Sequence, residues 1–217
     1  MINQVKNNQI VNKQLLISIL MVVLLVVILF FFDKSILIWM QELMGPENLP
    51  LAEMVTHNGL YLFYAVFAVL FVYSLILKNK KWINLCLAYL LTQLIFAFGV
   101  VRILKIVFGR ARPKYESDFN FFAFGFDVNS FPSGHAADAF VSGVFLYYLL
   151  KNSKYSAGSF LPLVYAFLIA ISRAFVNSHY PSDVAAGMAI GIFGAWLFIS
   201  RLPNYSALKN TSKRLDE

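Results

Sequence analysis

Residues 15–32 read LLISILMVVLLVVILFFF, an apolar run broken only by Ser18. A helix needs about 20 mainly apolar residues to cross a bilayer, and this run approaches that length. It is longer than the apolar core of a secretory signal, which holds about 7–15 residues. Asp33-Lys34 follows it in place of a small-residue cleavage site. The run therefore predicts a membrane span that is retained in the protein.

The composition of the chain agrees with lipid as the solvent. Of the 217 residues, 59% are hydrophobic and only 13% are charged, whereas soluble proteins carry about 25% charged residues. The net charge of +7 comes from basic residues scattered in short clusters between apolar runs. That placement is typical of membrane orientation signals and argues against a nucleic-acid partner. Cys86 is the only cysteine, so a disulfide within the chain is excluded.

Further apolar segments predict five more spans. With the first run, they cover roughly residues 15–32, 60–77, 83–108, 135–150, 160–176 and 184–200. Strand-like alternation is absent, so the predicted fold is all-α, a six-transmembrane helical bundle with short extramembrane loops. The stretch 33–59 is too polar for a seventh span and is expected to lie along the outer interface. We expect residues 1–217 to form a single integral membrane domain.

The distribution of basic residues predicts the orientation. With the N-terminus inside, 11 of the 18 lysines and arginines fall on the cytoplasmic side, which supports a cytoplasmic location of both termini. The brevity of the chain favours a bacterial protein of the inner membrane, with its site on the periplasmic face. A basic cluster from Arg102 to Lys114 runs against the rule, and charges partly inside a span indicate function.

The first of three polar clusters on the outer side is KIVFGRARP at residues 105–113. Lys105 and Arg112 are separated by close to two helical turns, so both cations can point the same way if the helix persists. Basic residues at span ends also snorkel to lipid headgroups. Snorkelling is the preferred interpretation for Arg110 and Lys114, and for Lys105 and Arg112 both interpretations stay open.

The second cluster is PSGH at residues 132–135. Ser133 is a natural N-cap, and the free N–H groups and dipole at a helix start suit a phosphate. Gly134 would let that backbone approach a ligand closely. An ordinary capped helix with His135 at the surface is the alternative.

The third cluster is SRAFVNSHYPSD at residues 172–183. It places Arg173 at the outer end of the fifth span and His179 four residues before Asp183. A carboxylate that holds one ring nitrogen of a histidine fixes its tautomer and raises the nucleophilicity of the other nitrogen. A polar loop whose Asp183 merely caps the sixth span is the alternative. Together, the three clusters predict a metal-free active site for phosphoryl transfer.

These clusters resemble the signature of the type-2 phosphatidic acid phosphatase (PAP2) superfamily, Lys-x6-Arg-Pro, Pro-Ser-Gly-His and Ser-Arg-x5-His-x3-Asp, with every residue present at the family spacing. The resemblance implies that His179 forms a phosphohistidine, that Asp183 orients and activates it, and that His135 protonates the leaving oxygen. The phosphate-binding residues that it implies are Lys105, Arg112, Ser133, Gly134 and Arg173. The family uses no metal here, and no cofactor is expected.

The implied function is a membrane lipid phosphatase acting on a phosphate monoester or diphosphate headgroup. Three substrate classes stay open: phosphatidylglycerophosphate or phosphatidate, undecaprenyl diphosphate, and the phosphates of lipid A. The expected partners are this lipid and the bilayer. A phosphotransferase that passes phosphate to a second lipid is one alternative. A non-hydrolytic lipid transporter or binding protein that kept the site is the other.

Two features lie outside the signature. Asp138 is one helical turn deeper than His135, so it either tunes that histidine or contacts the headgroup, or it hydrogen-bonds a residue such as Gln93 from another span. The loop 115–131 carries six phenylalanines. It is interpreted either as the border of a sideways entrance for the lipid or as a plain aromatic belt.

Overall fold

The structure is a computed structural model. It describes residues 2–115, 120–122, 124–125, 127–151 and 153–202, with the backbone alone for residues 2–15. In this part of the chain all regular elements are helices and no strand occurs, which confirms the predicted all-α fold. In chain order the elements are α1 (Ile2–Ile76), α2 (Lys80–Thr92), a π-helical segment (Gln93–Val100), α3 (Val101–Phe108), α4 (Gly134–Lys151), a 3₁₀ turn (Ser156–Gly158), α5 (Leu161–Phe175) and α6 (Pro181–Ile199).

Four stretches of helix among the described residues are long and apolar enough to cross a membrane. They are Leu16–Ile76, Lys80–Phe108, Ser156–Phe175 and Pro181–Ile199. Because α2, the π-helical segment and α3 form one run, the described chain has five separate helical runs. The predicted count of six is not reproduced, since the first two predicted spans both lie within α1.

α1 is not one straight helix, because Gly45 interrupts it. Gly45 has φ 66 and ψ 157, in a region that residues with a Cβ rarely adopt, and a proline follows it. The segment before this break, predicted from its polarity to lie along the interface, is helical and buries Asp33, Leu37 and Met40. Their spacing of four and three residues defines one helical face. Leu37 and Met40 pack with Ala174 of α5, so this face covers the bundle.

α4 packs against α5, α6 and the π-helical segment. Its crossing with α6 is close because two glycines of α6 face the backbone of α4. A Cβ on Gly187 would lie 2.3 Å from the carbonyl oxygen of Ser133, and one on Gly191 would lie 2.3 Å from that of Ala137. This contact brings the first turn of α4 beside the start of α6, so the second and third polar clusters are neighbours.

Candidate active site

The structure brings the three polar clusters together at one end of the bundle. The Ser133 amide donates to the carbonyl oxygen of Asp183 over 2.9 Å, which joins the second cluster to the third. Arg110 donates to the carboxylate of Asp183 over 2.7 Å, which joins the first cluster to the third. The Ser130 amide donates to the carbonyl oxygen of Arg110 over 2.9 Å. Segments far apart in the sequence therefore share one polar site.

The first cluster is not arranged as the helical spacing predicted. α3 ends at Phe108, and Gly109 follows with φ 49 and its amide donating to the carbonyl oxygen of Lys105 over 2.9 Å. A Cβ on Gly109 would lie 1.7 Å from the carbonyl oxygen of Asn120. Lys105 thus lies in the last turn of α3, whereas Arg112 lies in the loop beyond it. A turn of the chain, and not a continued helix, positions the second cation.

His179 lies in the short connection between α5 and α6 and is 2% exposed. Its Nδ1 is 3.8 Å from Asp183 Oδ2 and 3.5 Å from Ser130 Oγ. Burial lowers the pKa of His179 to about 3, with Lys105 and Arg173 acting in the same direction and Asp183 opposing them. The imidazole is therefore neutral near pH 7, which is the state that a nucleophile requires.

Asp183 is fully buried and receives hydrogen bonds on both carboxylate oxygens. Its Oδ2 accepts from Ser130 Oγ over 2.5 Å and from the amide of Tyr180 over 2.9 Å. Its Oδ1 accepts from Arg110 Nη1 over 2.7 Å. These donors fix the carboxylate beside Nδ1 of His179, where it favours the tautomer that leaves Nε2 unprotonated.

Arg110 and Asp33 form an ion pair behind this carboxylate that the sequence analysis missed. Arg110 Nη2 is 2.8 Å from Asp33 Oδ2, and both residues are buried. The Ser182 amide donates to Asp33 Oδ1 over 2.8 Å, and its hydroxyl donates to Oδ2. The guanidinium also lies 4.1 Å from the ring centroid of Tyr180. The snorkelling interpretation of Arg110 is therefore wrong. Lys114 is exposed, and snorkelling stays the prediction for that residue.

The three cations implied as phosphate ligands lie near His179 or Asp183, since Lys105 and Arg173 interact electrostatically with His179, and Lys105 and Arg112 with Asp183. Lys105 donates to the carbonyl oxygen of Asn129. Arg112 is 9% exposed, and burial lowers its pKa. Arg173 is 8% exposed and donates from Nη1 to Thr56 Oγ1 over 3.4 Å. Its Nε is buried without a hydrogen-bond partner among the described residues, and an unsatisfied buried donor of this kind indicates a missing acceptor.

The second cluster opens α4 as expected. Ser133 Oγ accepts from the amide of Ala136 over 3.4 Å, so Ser133 caps the helix. His135 lies in the first turn of this helix. Gly134 and His135 also line a cavity of about 910 Å³. The remainder of its lining comes mainly from apolar side chains of α1, α2 and the π-helical segment.

Two expectations outside the signature have different outcomes. Asp138 accepts a hydrogen bond from Gln93 Nε2 over 2.7 Å, which confirms the alternative of a bond to another span. Of the Phe-rich loop, residues 116–119, 123 and 126 lie outside the described residues. Phe121, Phe122 and Phe124 are exposed, and the choice between entrance and belt stays a prediction. Among the described residues, no group of three or more His, Cys, Asp or Glu side chains is placed to hold a metal ion.

Residues 81–206 match the family model described as the PAP2 superfamily, an interval that contains all three clusters. A lipid A 1-phosphatase of Rhizobium etli is 35% identical over 121 residues, which cover 54% of this chain and 47% of that protein. The chain thus spans about half the length of that relative. The bacitracin transport permease protein BcrC of Bacillus licheniformis is 30% identical over 172 residues, covering 75% of this chain and 77% of that protein.

Two solved structures share the fold. The crystal structure of Aquifex aeolicus LpxE has a TM-score of 0.56 at 27% identity and covers 78% of this chain and 95% of that one. The first transmembrane PAP2 type phosphatidylglycerolphosphate phosphatase from Bacillus subtilis has a TM-score of 0.60 and covers 83% of this chain and 94% of that one; at 24% identity it shows the fold alone. The membrane-spanning helices and these relatives make the protein an integral membrane protein. Since the family match covers more than half of its residues, the chain belongs to the PAP2 superfamily.

Proposed function

We propose that this protein is a metal-independent membrane lipid phosphatase that works through a phosphohistidine on His179. The observation that carries the proposal is the buried imidazole of His179, whose Nδ1 lies 3.8 Å from the carboxylate of Asp183 and whose ring is near Lys105 and Arg173. Two residues of the second cluster, Gly134 and His135, line a mainly apolar cavity of about 910 Å³. The arrangement suits a substrate with an anionic headgroup and hydrocarbon chains.

In the first step, Nε2 of His179 attacks phosphorus, an N–P bond forms, and the bond from phosphorus to the lipid oxygen breaks. The negative charge of the bound phosphate favours the protonated form of His135. His135 then gives its proton to that oxygen, so the lipid leaves as an alcohol or, from a diphosphate, as a phosphate. Asp183 stabilises the positive charge that develops on the His179 ring. In the second step, water attacks phosphorus, His135 takes the proton of the water, and the N–P bond breaks to release inorganic phosphate.

The cations account for recognition of the phosphate. Lys105, Arg112 and Arg173 neutralise charge on the non-bridging oxygens, and the amide groups at the start of α4 add donors there. The Nε group of Arg173, which has no partner among the described residues, gains an acceptor when phosphate binds. The binding site is therefore stabilised by its substrate.

The proposal includes six membrane crossings in one domain, with α1 counted as two segments on either side of Gly45. Asp33 hydrogen-bonds Ser182 at the start of α6, and Thr56 hydrogen-bonds Ser172 near the end of α5 over 2.6 Å. Both contacts lie at the catalytic end of the bundle, which supports a reversal of the chain between them.

We place the catalytic end on the periplasmic side of the inner membrane and both termini in the cytoplasm. The basic residues at the opposite end of the bundle support this orientation under the positive-inside rule; the described ones are Lys78, Lys80, Lys81, Lys151, Lys154 and Arg201. The side chains of Lys6 and Lys13 are not described, and Lys209, Lys213 and Arg214 lie outside the described residues.

The test is phosphate release by the purified protein in detergent with chelator, from phosphatidate, phosphatidylglycerophosphate, undecaprenyl diphosphate and lipid A. Release that persists in chelator and is lost in His179→Ala supports the proposal. Transfer of phosphate to a second lipid with little free phosphate indicates a phosphotransferase. Lipid binding with release from no member of the panel indicates a transport or binding protein and overturns the proposal.

A further inference from the structure

One carboxylate lies in the wall of the apolar cavity, below the proposed phosphate site. Asp138 follows His135 by three residues in α4, so it is about 4.5 Å deeper along the helix axis. Both side chains line the same cavity of about 910 Å³. The lining of this cavity also includes Leu60, Phe67 and Leu94. A charged or strongly polar group among such side chains is costly unless a ligand or partner compensates it.

Two of the described partners of Asp138 come from other helical segments, and a third, Ser142, lies one turn further along α4. Tyr64 of α1 donates its hydroxyl hydrogen to Oδ2. Gln93, the first residue of the π-helical segment, donates from Nε2 to Oδ1 over 2.7 Å. Asp138 therefore links α4 to α1 and to the π-helical segment, both of which line the cavity. π-Helical distortions are frequent at functional sites, and this one begins at the residue that reaches the carboxylate.

The polar side chains around Asp138 have more hydrogen-bond acceptor sites than donor hydrogens. Gln93 Nε2 also lies 3.0 Å from Ser142 Oγ and 3.2 Å from the Tyr89 hydroxyl, although the amide has only two hydrogens to donate. Gln93 Oε1 is buried without a hydrogen-bond partner among the described residues. A carboxylate offers about four acceptor sites, and Tyr64, Gln93 and Ser142 each fill one. The wall thus presents spare acceptor capacity to whatever occupies the cavity.

We propose that Asp138 is a specificity residue that accepts a hydrogen bond from a lipid substrate carrying an amide N–H or a hydroxyl group close to its phosphate. The inference rests on the proposed lipid phosphatase function. One helical turn between His135 and Asp138 matches a donor on the first or second carbon beyond the phosphate-bearing carbon. An ester at that place offers only acceptors, and a polyprenyl chain offers neither donor nor acceptor.

The experiment compares ceramide 1-phosphate with phosphatidic acid of matched chain lengths. Both are phosphate monoesters of a primary alcohol, but the first carries an amide N–H and a hydroxyl group where the second carries esters. We expect the wild-type protein to prefer ceramide 1-phosphate in kcat/KM by about tenfold, since an ester at this place leaves a buried acceptor without a donor. Asp138→Leu is expected to remove this preference, mainly by raising KM for ceramide 1-phosphate.

Further variants keep the test independent of folding. Asp138→Asn preserves shape and is expected to reduce the preference several-fold, because the amide has one acceptor oxygen where the carboxyl group has two. Tyr64→Phe removes a competing donor and is expected to maintain or increase the preference. Tyr61→Phe, which removes a hydroxyl one turn away on the same wall, is the matched control and is expected to keep the wild-type ratio.

The outcomes separate this inference from the function on which it rests. Release from at least one of the two lipids, with equal ratios of kcat/KM in wild type and both Asp138 variants, overturns the inference and leaves the phosphatase proposal standing. A wild-type preference for phosphatidic acid likewise overturns the inference about Asp138 and leaves the phosphatase proposal standing. Release from neither lipid overturns the inference about Asp138, whereas the phosphatase proposal is overturned only when no lipid of its own panel releases phosphate.

Discussion

Replacing Asp33 with asparagine removes one of the two carboxylates that Arg110 contacts, and it leaves Asp183 to hold the guanidinium. At 2.8 Å, a pair of unit charges interacts with about 6 kcal/mol at an effective dielectric constant of about 20, before desolvation is subtracted. Loss of one partner from a buried pair costs about 3–5 kcal/mol. We expect the free energy of unfolding to fall by about 3 kcal/mol, because Asp183 still compensates part of the charge on Arg110.

The same change should slow the chemistry. Asp183 then remains as the carboxylate partner of Arg110. The guanidinium offsets more of the negative charge of Asp183, so the negative electrostatic potential at the ring of His179 becomes weaker. We expect kcat to fall 10- to 100-fold, about 1.4–2.8 kcal/mol of barrier. KM should stay within about twofold, because the described contacts of Asp33 are with Arg110 and Ser182 and not with the phosphate-binding cations.

The assay is phosphate release against lipid concentration in detergent, combined with thermal unfolding. A loss of 3 kcal/mol corresponds to a fall in Tm of about 6 °C or more for a chain of this size. Lys34→Gln is the matched control, since it removes a charge from the adjacent, exposed position. Wild-type kcat and Tm in Asp33→Asn would refute the argument that Asp33 supports Asp183 through Arg110.

Three other predictions follow from the geometry of the site. Arg173→Lys loses the directional guanidinium donors, so we expect kcat/KM to fall at least tenfold while Tm changes little. The pKa of His179 is lowered to about 3 in the folded state, whereas in the unfolded state it is about 6.5. The folded state therefore binds a proton on His179 only at a lower pH than the unfolded state does, so acid favours unfolding. The Tm difference between wild type and His179→Gln should therefore decrease as pH falls from about 7 to 5, and a constant difference would contradict the burial argument. Gly187→Ala places a Cβ 2.3 Å from Ser133 O and should lower Tm, whereas Gly158→Ala, whose nearest contact is 3.6 Å, serves as the control.

The sequence predicted the elements whose signal is local. Hydropathy identified the helical segments, and the three clusters identified the residues that meet at one end of the bundle. Gly109 was a readable sign that α3 ends before Arg112, because glycine in a left-handed conformation commonly terminates helices. Asp33, Leu37 and Met40 likewise carry the periodicity of one helical face, but the average polarity of the stretch concealed it.

Contacts between distant positions were not readable in this way. Asp33 and Arg110 are 77 residues apart, and only the packing of α1 against the start of α6 makes them an ion pair. Taken alone, each has an ordinary explanation as a charge at the end of a span. The bond from Gln93 to Asp138 was foreseen as an alternative, because intramembrane carboxylates usually find a partner. Its position in the cavity wall required the fold.

The central claim is that His179 becomes phosphorylated during turnover. The direct test uses His135→Ala with an activated aryl phosphate, because an aryl oxide leaves without a proton whereas attack by water still needs a base. We predict that rapid quenching in alkali, digestion and mass spectrometry will recover an acid-labile phosphate on the peptide containing His179. Turnover of the aryl phosphate by this variant without a phosphorylated His179, or with the phosphate on another residue, would contradict the account.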